Sequence, residues 1–194
     1  KQAQSLQLDM YMSMCKSGQT LMSNISNLIV VEKTSTAEDK FQYSYNLDEI
    51  GGRILVTDLF QSKFDQKLDY KSIIYFPPLG KDKLFFSSYG KDGKTGLDLY
   101  MVTRQSTGDW SEPIRLPESI NTPYDDDFPY LQPDGKTFYF SSKGHNSMGG
   151  YDIFRCSYDF ASNNFGPVSN LDYKINSTDD DILYIVDDKN ENAF

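Results

Sequence analysis

The chain has 194 residues and a formal net charge of −9, from 28 acidic against 19 basic side chains. That length supports one domain with a real core, and the acidic balance, with no Lys/Arg cluster anywhere, excludes a nucleic-acid surface, which needs concentrated positive charge. No run approaches the ~18 apolar residues of a membrane-spanning helix, and 14 Tyr with 13 Phe favour strands over helices.

From the N-terminus, Leu6, Met10 and Met14 fall four apart, which predicts a short helix over residues 3–16, ending before Gly18. Residues 1–22 thus read as a helical leader segment. Three strand-like runs come after it, at 27–32 (NLIVVE), 40–45 (KFQYSY) and 53–60 (RILVTDLF), with Gly51-Gly52 as the turn between the last two. They make residues 23–70 a diverged first unit of a repeat that fills the remainder of the chain. Cys15 and Cys156 are too few and too far apart for a disulfide framework or a metal spacing, and are expected unpaired.

The repeat is plainest from residue 71 onward. Residues 84–100 (LFFSSYGKDGKTGLDLY) and 138–154 (FYFSSKGHNSMGGYDIF) align without a gap at an offset of 54. Ser87 and Ser88 fall on Ser141 and Ser142, Gly90 on Gly144, Gly96 on Gly150, and Asp98 on Asp152. Downstream, Pro113 falls on Pro167 and Asp125-Asp126-Asp127 on Asp179-Asp180-Asp181, while Ile120-Asn121 meets Ile175-Asn176 only after a one-residue slip. Full units are predicted over 71–126 and 127–180, with a further one starting at 181–194. Each reads as four strands, in the clearer copy at 127–132, 137–142, 151–157 and 165–171. Pro133-Asp134-Gly135-Lys136 forms the first turn and a glycine-rich loop spans 144–150. No unit shows helical periodicity, which excludes a helical solenoid. The expected fold is all-β, with β-propeller blades of four antiparallel strands and a short N-terminal helix. About three and a half such units fit in the chain, fewer than the roughly four to eight of a closed ring, so an incomplete propeller is expected.

Residues 129–154 also carry a resemblance. Pro129, the turn 133–136, the aromatic strand Phe138-Tyr139-Phe140-Ser141-Ser142, Gly149-Gly150 and Asp152-Ile153-Phe154 resemble the PD40 (TolB-like, WD40-like) repeat. The earlier copy departs from it, with Leu79-Gly80-Lys81-Asp82-Lys83 in place of the Pro-Asp-Gly-Lys turn. The likeness covers about 71–194. Its fuller form is similar to envelope proteins of Bacteroidetes-type bacteria, in which such propellers sit beside TPR helices and an OmpA-like domain. The resemblance implies a non-enzymatic scaffold, periplasmic and outer-membrane-associated, in some cases within a secretion complex. Its implied partners are envelope proteins, with peptidoglycan reached through a domain not visible in these residues. A propeller binding carbohydrate or peptidoglycan fragments is the alternative, and a propeller hydrolase a third reading.

Candidate contact residues lie in the two glycine-rich loops: Lys91, Asp92 and Lys94 in the first, His145, Asn146 and Met148 in the second, His145 being read as a solvated loop residue. Trp110 is read as a packing residue or as an exposed aromatic for a partner or sugar. Asp125, Asp127, Asp179 and Asp181 are weak cation candidates, because neighbouring side chains on an extended chain diverge and cannot converge on one ion; a turn-capping role fits them better. Asp98, Asp152, Ser87, Ser141, Pro133, Asp134, Gly135 and Gly150 form the structural signature of the repeat. The lone His145 has no positioned nucleophile and acid beside it, no phosphate loop is present, and neither a catalytic residue nor a cofactor is expected.

Overall fold

The computed structural model describes residues 2–21, 32–45, 47–48, 50–78, 82–187 and 192–194. It is all-β in its body, with an N-terminal helix α1 (Gln2–Leu21). The helix is longer than the periodicity predicted. Gly18 does not stop it, because a glycine terminates a helix by turning left-handed, and Gly18 is not among the positive-φ glycines. No helix among the described residues is long and apolar enough to cross a membrane. Residues 40–45, read as a strand, instead end a 3-10 turn over Glu38–Tyr43. There the aromatic alternation serves packing rather than pairing: Phe41 and Tyr45 both reach an apolar cluster from this turn. The run at 27–32 lies almost wholly outside the described residues.

Strand β1 (Arg53–Thr57) pairs antiparallel with β2 (Ser72–Phe76). Helix α2 (Lys63–Leu68) connects them, a short helix the strand-like reading missed. Its signal is a capping box. The Ser62 hydroxyl accepts from the Asp65 N–H at 3.0 Å, and the Asp65 carboxylate accepts from the Ser62 N–H at 2.8 Å.

Two larger sheets make up the rest. The first runs β3 (Lys83–Ser88), β4 (Asp98–Thr103), β5 (Ile114–Arg115). The second runs β6 (Asp126–Leu131), β7 (Thr137–Ser142), β8 (Asp152–Asp159), and then two short pieces, β9 (Asn164–Phe165) and β10 (Ser169–Asn170), both paired to β8. The fourth strand predicted at 165–171 is therefore broken, and Pro167, which has no N–H to donate to a ladder, lies between its pieces. The 54-residue offset survives in three dimensions. It carries β3 onto β7 and β4 onto the start of β8, and it superposes Leu84↔Val102 on Phe138↔Cys156 in the ladders.

The two sheets pack face to face. Phe85, Leu99, Met101 and Leu116 of the first meet Phe138, Phe140, Phe154, Cys156 and Tyr158 of the second in one buried cluster. Because side chains alternate across a strand, the first sheet's other face carries Leu84, Phe86 and Val102, packed with Ile74, Phe60 and Trp110. These are the positions equivalent, at an offset of 54, to the second sheet's interface residues. The second sheet's far face, with Tyr139 and Ile153, packs on Leu183, Ile185 and Val186 and on Ile50 and Ile54. In the segment read as the start of a further unit, the described residues form a single bridge, Val186↔Ala193, rather than a strand.

A repeated asparagine ties each sheet to the chain that leaves it. Asn121 is 3% exposed. It accepts from Leu99 N–H at 2.7 Å and donates to the carbonyls of Leu99 and Leu116, both at 3.0 Å. Asn176 does the same to Ile153, at 2.7 and 3.0 Å, and donates to Asn170 Oδ1 at 2.8 Å. Replacing Asn121 by Ala takes the partner from a buried N–H and from the Leu116 carbonyl, and leaves the Leu99 carbonyl with the Leu116 N–H alone. Asn121→Ala should cost about 2 kcal/mol in a urea titration, and a loss under about half a kcal/mol would show that the tie is dispensable.

Candidate functional site

The signature carboxylates are framework. Asp125 Oδ1 accepts from Leu97 N–H at 3.1 Å, and Asp180 Oδ1 accepts from Tyr151 N–H at 2.8 Å. Asp126 Oδ2 accepts from Thr122 N–H at 2.6 Å and its hydroxyl at 3.0 Å; Asp181 Oδ2 accepts from Ser177 N–H at 2.5 Å and its hydroxyl at 3.0 Å. These pairs lie 55 residues apart rather than 54. The structure therefore moves the aspartate triplets out of the register read from the sequence: the slip seen at Asn121 and Asn176 persists, and Asp125 matches Asp180. It also explains Gly96 and Gly150. A β-carbon at either would run into the carboxylate of Asp125 or Asp180, respectively, so the glycine is what lets that carboxylate reach the next N–H.

In the corrected register Asp127 has no acidic counterpart, since position 182 is Ile. Asp127 is buried. It accepts from the Ser87 hydroxyl, from Tyr70 Oη–H at 3.3 Å and from Phe128 N–H at 2.6 Å. It thus joins β6 to β3 and to the end of α2. Burial pushes its carboxyl up to about 6, against the pull of these donors. Burial likewise raises Asp126 to about 7 and Asp152 to about 6. Asp65 was missed in the sequence: its carboxylate accepts from the Ser88 hydroxyl at 2.5 Å and from Tyr89 N–H at 2.8 Å. In the second sheet Asp126 takes that place on Ser142.

Asp98 and Asp152 differ in what faces them. Asp98 receives both arms of Arg115, at 2.7 and 2.8 Å, and the Thr95 hydroxyl at 2.6 Å. Asp152 receives Met148 N–H at 2.9 Å and the Asn170 amide at 2.8 Å, both on Oδ2. Asp152 Oδ1 and the Ser141 hydroxyl are buried without a hydrogen bond among the described residues, whereas Ser87 is held by Tyr70, Ser72 and Asp127. Asp134 caps its own turn, accepting from Lys136 N–H at 2.7 Å and Thr137 N–H at 3.2 Å. Gly135 sits there at φ 70°, with Pro133 at the head of the turn. The four cation candidates do not converge, and no metal-ligand cluster occurs among the described residues.

The candidate contact residues fall into separate places. Lys91, Asp92 and Lys94 lie exposed on the loop between β3 and β4, where Asp92 and Lys94 pair at 2.7 Å. Asn146 is exposed and accepts from the Ser13 hydroxyl of α1 at 2.9 Å. Met148 is half-buried. His145 is not the solvated loop residue the sequence suggested. It is half-buried, its Nε2–H donates to the Ile120 carbonyl at 2.7 Å, and its ring lies 5.6 and 5.4 Å from those of Phe140 and Phe154. Burial lowers its pKa, so it is a neutral packing residue.

Trp110 stands apart from all of these. It bridges to Arg104 just beyond the far end of β4, roughly 20 Å along a six-residue strand from the glycine-rich loop. There it borders an open cleft of about 560 Å³. Phe76, Pro77, Pro78 and Leu84 make its apolar lining, and Gly52, Arg53, Arg104 and Trp110 complete it. No backbone ladder joins β2 to β3 among the described residues, and Phe76 and Leu84 of those two strands meet in this cleft. Phe60 packs edge-on against the Trp110 indole at 5.9 Å. The Arg104 guanidinium stands 5.7 Å from that indole and the Arg53 guanidinium 5.3 Å from the Phe76 ring.

Comparison with protein-family models, with curated proteins and with solved structures finds no match to this chain.

Proposed function

We propose that the chain is a non-enzymatic protein-interaction module, a portion of a PD40-type β-propeller that serves as a scaffold in the bacterial envelope. Two features support the propeller: consecutive antiparallel sheets at a fixed offset, and a first sheet that offers one face to the strand before it in the chain and the other to the second sheet. The observation that carries the binding role is where the repeat is kept and where it is broken. Repeat-locked carboxylates are absorbed in backbone and side-chain hydrogen bonds. Arg104 and Trp110, at positions where the second sheet has a buried tyrosine and its Asn164-Phe165 strand, border the open cleft instead. Connecting segments held by a rigid scaffold of strands are where such residues commonly bind partners.

The test is retention. The immobilised chain is incubated separately with an envelope extract of a Bacteroidetes-type bacterium and with purified peptidoglycan. A small, saturable set of envelope proteins should be retained, and the sacculus should not. Retention on peptidoglycan with no protein partner would sink the scaffold reading in favour of carbohydrate binding.

A further inference from the structure

We infer that the Trp110 cleft is a recognition site for an acidic peptide segment of a partner protein, in which a carboxylate lies between Arg53 and Arg104 and a neighbouring apolar side chain enters against Phe76, Leu84 and Trp110. The inference rests on the reading of the chain as a binding module and names the chemistry of what it binds.

Three observations converge. The first is charge. The chain carries nine more acidic than basic side chains, yet among the described residues no acidic side chain lines this cleft and two arginines do. Both are exposed, and neither has a carboxylate partner among the described residues. Arg115, by contrast, is spent on Asp98. The second is orientation. Each guanidinium stands beside an aromatic ring of the cleft, at 5.3 and 5.7 Å, and Arg104 Nε–H is fixed on the Gly108 carbonyl at 3.1 Å. A guanidinium held this way keeps free donors in a planar fork that matches a carboxylate, and less freedom is lost on binding.

The third is comparison between the two sheets. The position equivalent to Arg104 in the second sheet is Tyr158, 3% exposed and packed between the sheets, and the bridge Arg104↔Trp110 corresponds to Tyr158↔Phe165. Another sheet of the same kind docked here would bury the Arg104 charge in an apolar interface, at a large desolvation cost. The face is suited to an anionic occupant rather than to one more repeat. The lining also decides between anions. An acidic sugar presents hydroxyls that need partners once buried, and apart from the two arginines the described lining is proline, glycine, leucine and aromatic rings.

Trp110 is the sole tryptophan of the chain, so its emission reports this cleft alone. Three probes are titrated: a short peptide with Glu on either side of Leu, the same peptide with Gln for Glu, and an oligogalacturonate. The Glu peptide should shift the emission saturably, at least about tenfold more tightly than the Gln peptide or the sugar, and more weakly as salt rises. In the double variant Arg53→Gln, Arg104→Gln that affinity should fall at least about tenfold, with Tm unchanged because both side chains are exposed. Equal titration by the Gln peptide, tighter binding of the sugar, or full affinity in the double variant overturns the assignment. So does a concentration-dependent emission shift with no peptide present, which would place a second copy in the cleft. Retention of envelope proteins by wild type and double variant alike, with no peptide binding, overturns the cleft assignment and leaves the module reading standing.

Discussion

Phe138→Ala should destabilise the chain by about 3–5 kcal/mol, the usual cost of emptying a buried phenylalanine site. Phe138 is fully buried at the centre of the interface between the two sheets. Its ring lies 4.8 Å from that of Phe85 in the neighbouring sheet, 5.3 Å from Phe165 and 5.9 Å from Phe140. The cavity would open between two elements that each need the other to cover an apolar face, and neither can collapse into it without losing strand register. Phe138→Leu keeps most of the volume and should cost less, about 1.5 kcal/mol. Urea denaturation of the three proteins measures both. A loss below about 1 kcal/mol for the alanine variant would mean that the sheets do not depend on one another for stability.

The second large effect is on pH. Asp126, Asp127 and Asp152 are buried, and burial raises them to about 7, 6 and 6. A carboxyl whose pKa is higher in the folded chain than in the unfolded one holds its proton better when folded. Its contribution is complete below the unfolded value, near 4, and is lost as pH rises through the folded value. Each unit of upward shift corresponds to about 1.4 kcal/mol, so the three together should lower stability by a few kcal/mol between about pH 5 and pH 8. Asp181, also raised by burial, adds in the same direction. His145 opposes them, since its lowered pKa makes the fold more stable as pH rises. It is one group against four. Thermal unfolding across that range should show Tm falling toward alkaline pH, and Asp127→Asn should flatten the profile around pH 6. A Tm that rises steadily from pH 5 to pH 8 would contradict the assignment of these carboxyls as buried and protonatable.

The repeat itself was readable because its demands are local. Phe138, Phe140, Phe154 and Cys156 alternate with a period of two, and that alternation alone places them on one face of an antiparallel pair. The turn at Pro133-Asp134-Gly135-Lys136 was equally legible, since the Asp134 side chain caps its own backbone and a glycine supplies the positive φ. Helix α2 could have been found from Ser62 and Asp65 at capping-box spacing. The 3-10 turn at Glu38–Tyr43 had no such mark, because KFQYSY alternates as a strand does and only the absence of a pairing partner tells the two apart.

Little of the site was legible. Arg53, Phe76, Leu84, Arg104 and Trp110 are scattered over 58 positions, and of these only Trp110 drew attention as a possible contact. The sequence by itself determined the all-β character, the repeat and the divergence of consecutive aspartates, because strand alternation and turn chemistry act over a few residues. Only the tertiary structure decided that the aspartate triplets pair one residue out of step, that His145 is tucked against Phe140 and Phe154, and that two arginines share a cleft with the one tryptophan. Those outcomes depend on which strand lies beside which and on what each sheet face packs against, and no pattern within a single strand encodes that.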